Sequence, residues 1–270
     1  MKRTETSRDD GRRPCGRGAG AEARGLGLLH ARSWRGDVVL DEHGGVFRGI
    51  AGHNEMHAHG AHQVSIGLDG PVTVWVEGRS IRGAAVSIAA ACRHRLVCGS
   101  VVSVYADVSS SLGRAIRERS SGDVCVLPTR LAAALSEVGK AEERLDRAAA
   151  AKLVRIFGGE LGNRTGDLVL RGVCDALRTG THLTRAELAS LAGRSESRFS
   201  HWFRECVGMP MRTYRKWQRL TVAVDRILDG QTMATAAIDA GFADQAHFVR
   251  TFRAMLGINP VAALGEARRA

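Results

Sequence analysis

Along this chain the spacing of apolar residues changes twice. Between about residues 37 and 108, short runs such as QVSIGL (63–68), PVTVWVE (71–77) and VVSVYADV (101–108) are separated by LDG, EG and CGS. In the second run Val72, Val74 and Val76 alternate with Thr73, Trp75 and Glu77, the period of two that a half-buried strand requires. Several such strands at short spacing predict a small antiparallel barrel or sandwich. From about residue 109 the period lengthens to that of a helix. Leu131, Leu135 and Val138 share one stripe and Leu145, Leu153 and Ile156 another, with the charged KAEERLDR between them. These helices either pack against a second copy of the chain or cover its own barrel.

Residues 166–270 read as helical almost throughout, broken at RTGTH, LAGRS, CVGMP, LDGQT, DAGFAD and MLGINP. Glycine just past a helix end accepts a positive φ, and a proline shortly beyond it stops the ladder, so six or seven helices are predicted. Two of the breaks share a plan. Leu188, Ala189 and Leu191 end one helix, Gly193 turns, and Ser195 is placed to cap the next; Ala236, Ala237 and Ile238 end another, Gly241 turns, and Asp244 caps.

Each turn leads into a helix with an aromatic back, Phe199, Trp202 and Phe203 in the first and Phe248 and Phe252 in the second. The opposite faces carry Ser197, Ser200, His201 and Arg204, and Gln245, Ala246, His247, Val249 and Arg250. A short helix with an apolar back and hydrogen-bonding groups in front has the form of a recognition helix, which enters the major groove N-terminus first. Arginine can address guanine, glutamine adenine, and alanine or valine a thymine methyl. Between the units MRTYRKWQRLTVAVDRIL (211–228) places Tyr214, Trp217, Leu220, Val224 and Ile227 on one stripe. At 1.5 Å per residue it spans about 27 Å, and with its end turns it can approach the roughly 34 Å between successive major grooves on one DNA face.

The run ELASLAGRSESRFSHWFRECVGMPMRTYRKWQRL, a helix, and then AAIDAGFADQAHFVRTFRAMLGINP resembles the DNA-binding domain of AraC/XylS transcriptional regulators, with Gly241, Phe242, Asp244, Phe248, Arg250, Phe252, Gly257 and Pro260 in register. The resemblance covers about the last hundred residues. It implies base reading from positions 197, 200 and 201 and from 245, 246, 249 and 250; the small Ser197 and Ser200 shift the first helix toward phosphate contacts and shape.

In the front half HNEMHAHGAHQVSIGL gathers His53, His57, His59 and His62, and His94 follows in CRHRLVCG. His57 and His59, two apart on a strand, point to one side. The arrangement resembles a cupin barrel, in which HxH, a carboxylate and a last histidine bind a divalent metal, but Gln63 stands where the carboxylate would be. No metal or other cofactor is therefore assigned, and His57, His59, Gln63, Trp75 and His94 are the candidate lining of an effector pocket, against the alternative of structural or exposed histidines.

Charge adds a partner. The formal net charge is +11; residues 1–36 hold 9 basic and 4 acidic groups, 37–165 hold 15 and 14, and 166–270 hold 15 and 10. A basic C-terminal part suits a polyanion, whose condensed counterions each Lys or Arg releases. The six cysteines form no C-x-x-C pair and imply neither a zinc knuckle nor a disulfide framework. No run is apolar enough for a membrane span or signal sequence, which points to a cytoplasmic location.

The sequence thus predicts a two-domain α+β chain: a disordered basic tail (1–36), a cupin-like β-barrel domain (37–108), a helical linker (109–165) whose helices either dimerise or cover the barrel, and an all-α double helix-turn-helix (166–270). The expected function is sequence-specific transcription regulation with no catalytic residues. Its partners are double-stranded DNA, a small-molecule effector, a second copy of the chain and, for an activator, RNA polymerase. The rival is a metal-binding cupin enzyme fused to a DNA-binding module.

Overall fold

The computed structural model describes residues 34–41, 44–97, 99–141, 145–158, 166–179, 183–265 and 267–269. The first strands are β1 (Arg35–Asp41), β2 (Gly44–Ala51), β3 (Ala61–Gly67), β4 (Val72–Val76), β5 (Arg79–Gly83), β6 (Ala85–Ile88), β7 (Arg95–Leu96) and β8 (Gly99–Asp107). Helix α1 (Ser111–Arg119), strand β9 (Val124–Val126) and helices α2 (Thr129–Ala141) and α3 (Arg147–Gly158) follow. The C-terminal part is α4 (Gly166–Thr179), α5 (Arg185–Leu191), α6 (Glu196–Val207), α7 (Met211–Leu228), α8 (Met233–Asp239), α9 (Gln245–Leu256) and α10 (Pro260–Leu264), closed by β10 (Ala267–Arg269).

The strands form two open sheets, one in the order β10-β1-β2-β8-β3-β6-β9 and a smaller one in the order β5-β4-β7. The chain is thus α+β, with a sheet-rich N-terminal part and a helical C-terminal part; among the described residues no ladder joins the two sheets into a closed barrel. Alternation along β4 follows the sequence, with Val72, Val74 and Val76 buried. They meet Phe47, Val86, Ile88 and Val101 in the core between the sheets.

Two features depart from the expected organisation, and a third follows one of the two alternatives left open. β1 begins at Arg35, within the stretch read as a tail, and pairs with β2 and, in parallel, with β10 at the far end of the sequence; the rest of that tail, residues 1–33, lies outside the described residues. β9 interrupts the helical linker and adds to the edge of β6. The apolar stripe of α2 and the residues of α3 cover the chain's own sheet. Leu135, Leu145 and Leu153 are buried in one cluster with Val64, Ile66, Val102 and Val104 of β3 and β8. A strand buried on both faces needs a helical layer over it, and this stripe supplies it.

In the C-terminal part Phe199, Phe203, Phe248, Phe252, Tyr214 and Leu220 form one core. α7 is its axis, and the same core takes in Ala61 and the edge of Tyr105 from the sheets, so it continues into the N-terminal part.

Candidate nucleic-acid interface and histidine site

The two helix-turn-helix units are built alike down to their glycines. In the first, Thr184 caps α5 and forms a reciprocal capping box with Glu187; Gly193 takes φ +62° in the turn, a left-handed value that L side chains resist. In the second, Gly241 takes φ +83°, and the Asp244 carboxylate caps α9 by accepting from His247 N at 2.6 Å. Ser195, the expected cap of α6, holds the cap backbone geometry without a side-chain hydrogen bond. Both recognition helices end on glycine at positive φ, Gly208 and Gly257.

The aromatic backs are buried as the spacing requires, apart from Trp202. That ring is only partly buried and is covered by the Arg194 guanidinium 4.4 Å from its centroid. The fronts are open: Ser197, Ser200, His201 and Arg204 on α6, and Gln245, Ala246 and Arg250 on α9, are all exposed. His247 and Val249 are half-buried. His247 Nδ1 accepts from Ala243 N at 3.4 Å and its ring meets Phe242 edge-on at 5.2 Å, so this side chain props the turn. Ser200 Oγ donates to Glu196 O within its own helix. Leu191 of α5 and Ile238 of α8 are each 55% exposed. Arg198 joins the open face of α6; the sequence signals it by its place between Ser197 and Phe199.

In the N-terminal part the structure brings His57, His59, Gln63 and His94 together and leaves out Trp75. Trp75 alternates with the buried valines of β4, so its ring points to the outer face, 37% exposed, with Arg95 over it. A residue on the polar phase of a pleated strand cannot also line the interior. His57 and His94 pair through a β-bridge, which sets their rings 4.3 Å apart. His59 is 5.0 Å from His94 and 5.8 Å from His57.

Each of these three rings has Nδ1 against a backbone carbonyl: His57 on Glu55 O at 2.8 Å, His59 on Ala61 O at 3.0 Å and His94 on Cys92 O at 3.1 Å. His59 Nε2 lies 2.8 Å from Gln63 Oε1, and a buried chain continues from Gln63 Nε2 to Ser65 Oγ and on to Ser103 Oγ. His94 is fully buried and its Nε2 has no hydrogen-bond partner among the described residues.

Burial keeps all of them neutral. Desolvation, with His59 adding to it, lowers His57 to about 4; desolvation, then Arg117 and His59, lowers His62 to about 4. The same desolvation lowers His59 and His94. An unfolded chain takes protons on these rings near 6.5, the folded one only near 4, so acid draws the equilibrium toward the unfolded state through that window. At about 1.4 kcal/mol per unit, His57 and His62 together lose several kcal/mol by about pH 4. Urea unfolding of chelator-treated protein is expected to show a midpoint that falls between about pH 6.5 and pH 5; an unchanged midpoint contradicts neutral, buried rings.

A cavity of about 520 Å³ lies between the sheets and the C-terminal helices. Its walls include Trp34, Phe47 and Leu96 on one side and Trp217, Leu220, Val224 and Leu256 on the other, with His57, Gln63, His94, Arg147 and Arg178 among the polar groups. Two further contacts tie its walls together. Asp107 at the end of β8 accepts from Tyr214 Oη and Gln218 Nε2 of α7, and Trp217 lies over Gly60 and 5.7 Å from the His59 ring. The sequence stripe omitted Gln218, although it stands four residues after Tyr214 and so on the same face.

Residues 188–264 match a family described as a helix-turn-helix domain. The whole fold is similar to ToxT from Vibrio cholerae O395, which is 13% identical with a TM-score of 0.57, the match covering 84% of this chain and 98% of that one. It is similar also to wild-type ToxT from Vibrio cholerae strain SCE256 bound to an unsaturated fatty acid, 12% identical with a TM-score of 0.54 over 83% and 95% of the two chains. No curated protein matches the sequence.

Proposed function

Since the chain is a DNA-binding transcription regulator with an AraC-type helix-turn-helix domain over residues 188–264, we propose that α6 and α9 read two successive major-groove segments and that the N-terminal part governs this through a bound effector. The observation that carries the reading is the shared build of the two units: an aromatic back buried in one core, a polar front left open. Ser197, Ser200, His201 and Arg204 are the contacts of the first helix, with Gln245, Ala246, Val249 and Arg250 those of the second. The half-buried His247 acts by holding the turn before α9.

The cavity suits a mostly apolar small molecule, with Arg147 in its lining to meet an anionic head. The fatty acid held by the similar ToxT structure supports that class. The two sheets would form its cupin-like, barrel-shaped container. Dimerisation and contact with RNA polymerase belong to the same reading, as does a cytoplasmic location; among the described residues no helix is long and apolar enough to cross a membrane. The rival of a cupin enzyme is not favoured, because the part that matches a family is the helix-turn-helix domain.

Selection of bound sites from random DNA tests this. Two sequence blocks about one helical turn apart are expected, and retention with no preference over competitor DNA would end the proposal. On the selected site Arg250→Ala is expected to cost about 1–3 kcal/mol and to relax base choice at one position. An equal loss on every sequence would place Arg250 on a phosphate.

A further inference from the structure

We propose that His94 accepts a hydrogen bond from the molecule held in the cavity, so that the site selects an apolar alcohol or phenol over the matching ether, ester or ketone. The inference rests on the cavity being the effector site and adds the functional group that this site reads. Most other polar groups of that wall are already engaged within the protein. Asn54 Nδ2 donates to Leu96 O at 2.8 Å, and its Oδ1 accepts from Leu96 N at 3.0 Å. Gln63 lies between His59 Nε2 and Ser65 Oγ. Asp107 takes Tyr214 and Gln218, and Thr221 Oγ1 donates to Gln218 O.

His94 is the exception. Its Nδ1 lies 3.1 Å from Cys92 O. A carbonyl oxygen accepts and cannot donate, so the ring proton sits on Nδ1 and Nε2 keeps its lone pair. Nε2 is buried without a hydrogen-bond partner among the described residues, and an orphaned buried polar atom calls for a specific explanation. His57 is built the same way, with Nδ1 2.8 Å from Glu55 O and its ring 4.3 Å from that of His94. Both residues line the cavity. Burial, with His59 and then His57 adding to it, holds the His94 ring well below the usual histidine range, so the ring stays an acceptor.

A buried acceptor with no partner discriminates between ligands by their protons. A hydroxyl satisfies it, whereas an ether, ester or ketone oxygen sets lone pair against lone pair and leaves the nitrogen unpaired. Phe47, Leu96 and Trp217 of the same cavity offer apolar surface to the body of the ligand, and about 520 Å³ holds a chain of eight or so carbons. Arg147 answers an anionic head, a chemistry that neutral His94 cannot serve.

The test titrates the full chain, without DNA, with n-octanol, heptyl methyl ether and octanoate, followed by tryptophan fluorescence. Wild type is expected to bind the alcohol at least about fivefold more tightly than the ether of equal size. In His94→Phe that ratio is expected to fall to one or below while octanoate binds as before. Nitrogen NMR of histidine-labelled wild type needs no variant: the His94 Nε2 resonance is expected to move with the alcohol and not with the ether. Equal binding of alcohol and ether by wild type, a preference that survives His94→Phe, or a resonance that ignores the alcohol each overturns the inference and leaves the effector site standing. Failure of all three compounds to bind overturns the effector reading with it.

Discussion

Asp107→Ala is expected to lower the free energy of unfolding by about 2–6 kcal/mol and to free α7 from the sheet. The carboxylate accepts from Ser109 N and Oγ at 2.8 and 2.5 Å, from Tyr214 Oη at 2.9 and 2.8 Å, and from Gln218 Nε2 at 2.7 Å. Alanine leaves the Tyr214 hydroxyl and the Gln218 amide buried without that acceptor, and each such orphan costs about 1–3 kcal/mol. The burial pushes the Tyr214 hydroxyl above its usual range, with Asp107 next in effect, so it stays a proton donor at any working pH. Asp107→Asn keeps one acceptor oxygen and should lose less. Tyr214→Phe removes a donor from a carboxylate that still has three, and should cost about 1 kcal/mol. Urea unfolding of the two single variants and the double variant gives the coupling. If Asp107→Ala and Tyr214→Phe simply add, the two groups do not meet in solution.

That node shows which parts of the molecule were legible in the sequence. The two units are local: turn glycine, capping residue and aromatic back all lie within about twenty residues, and their spacing follows from 3.6 residues per turn. Their exposed faces follow from the same period. The histidines were legible as a cluster because four of them lie within ten residues, and His94 joined them through its later strand. Trp75 was misplaced because its chemistry outweighed the alternation that its own strand displayed.

The contacts between the two parts of the chain left no such trace. Asp107 reads as the end of a strand, and its partners are more than a hundred residues away. The stripe of α7 names no partner in the sequence, and in the structure Trp217 also covers Gly60. β10 has too few residues for a periodic signal and exists because β1 offers it an edge. The helices after β8 were equally consistent with a dimer and with a cover for the sheet, since an apolar stripe does not state its partner. In the structure part of that stripe packs on β3 and β8.

The duplicated units also supply a matched pair of substitutions, with the larger effect expected at Gly257. Gly208 and Gly257 both end a recognition helix, at φ +80° and +71°, and their amides donate to Arg204 O and Arg253 O. Alanine at either must adopt a left-handed conformation, at about 1–2 kcal/mol. At Gly208 that is the whole cost, because a Cβ there meets nothing within 4 Å. At Gly257 it would stand 2.4 Å from Glu55 O and 2.7 Å from His57 Nδ1. Backbone cannot yield as the end of a flexible side chain does, so overpacking adds about 1–3 kcal/mol. The added cost falls on the contact between the two parts, since Gly257 O accepts from Glu55 N at 2.7 Å and Arg253 pairs with Glu55. That ion pair is half-exposed and contributes little; the close approach of backbone to backbone is what the glycine permits. Gly257→Ala is therefore expected to lose about 2–5 kcal/mol in urea unfolding, against about 1–2 for Gly208→Ala, and to expose Trp217 to fluorescence quenchers before the core unfolds. Equal losses would mean that the end of α9 does not rest on the sheets.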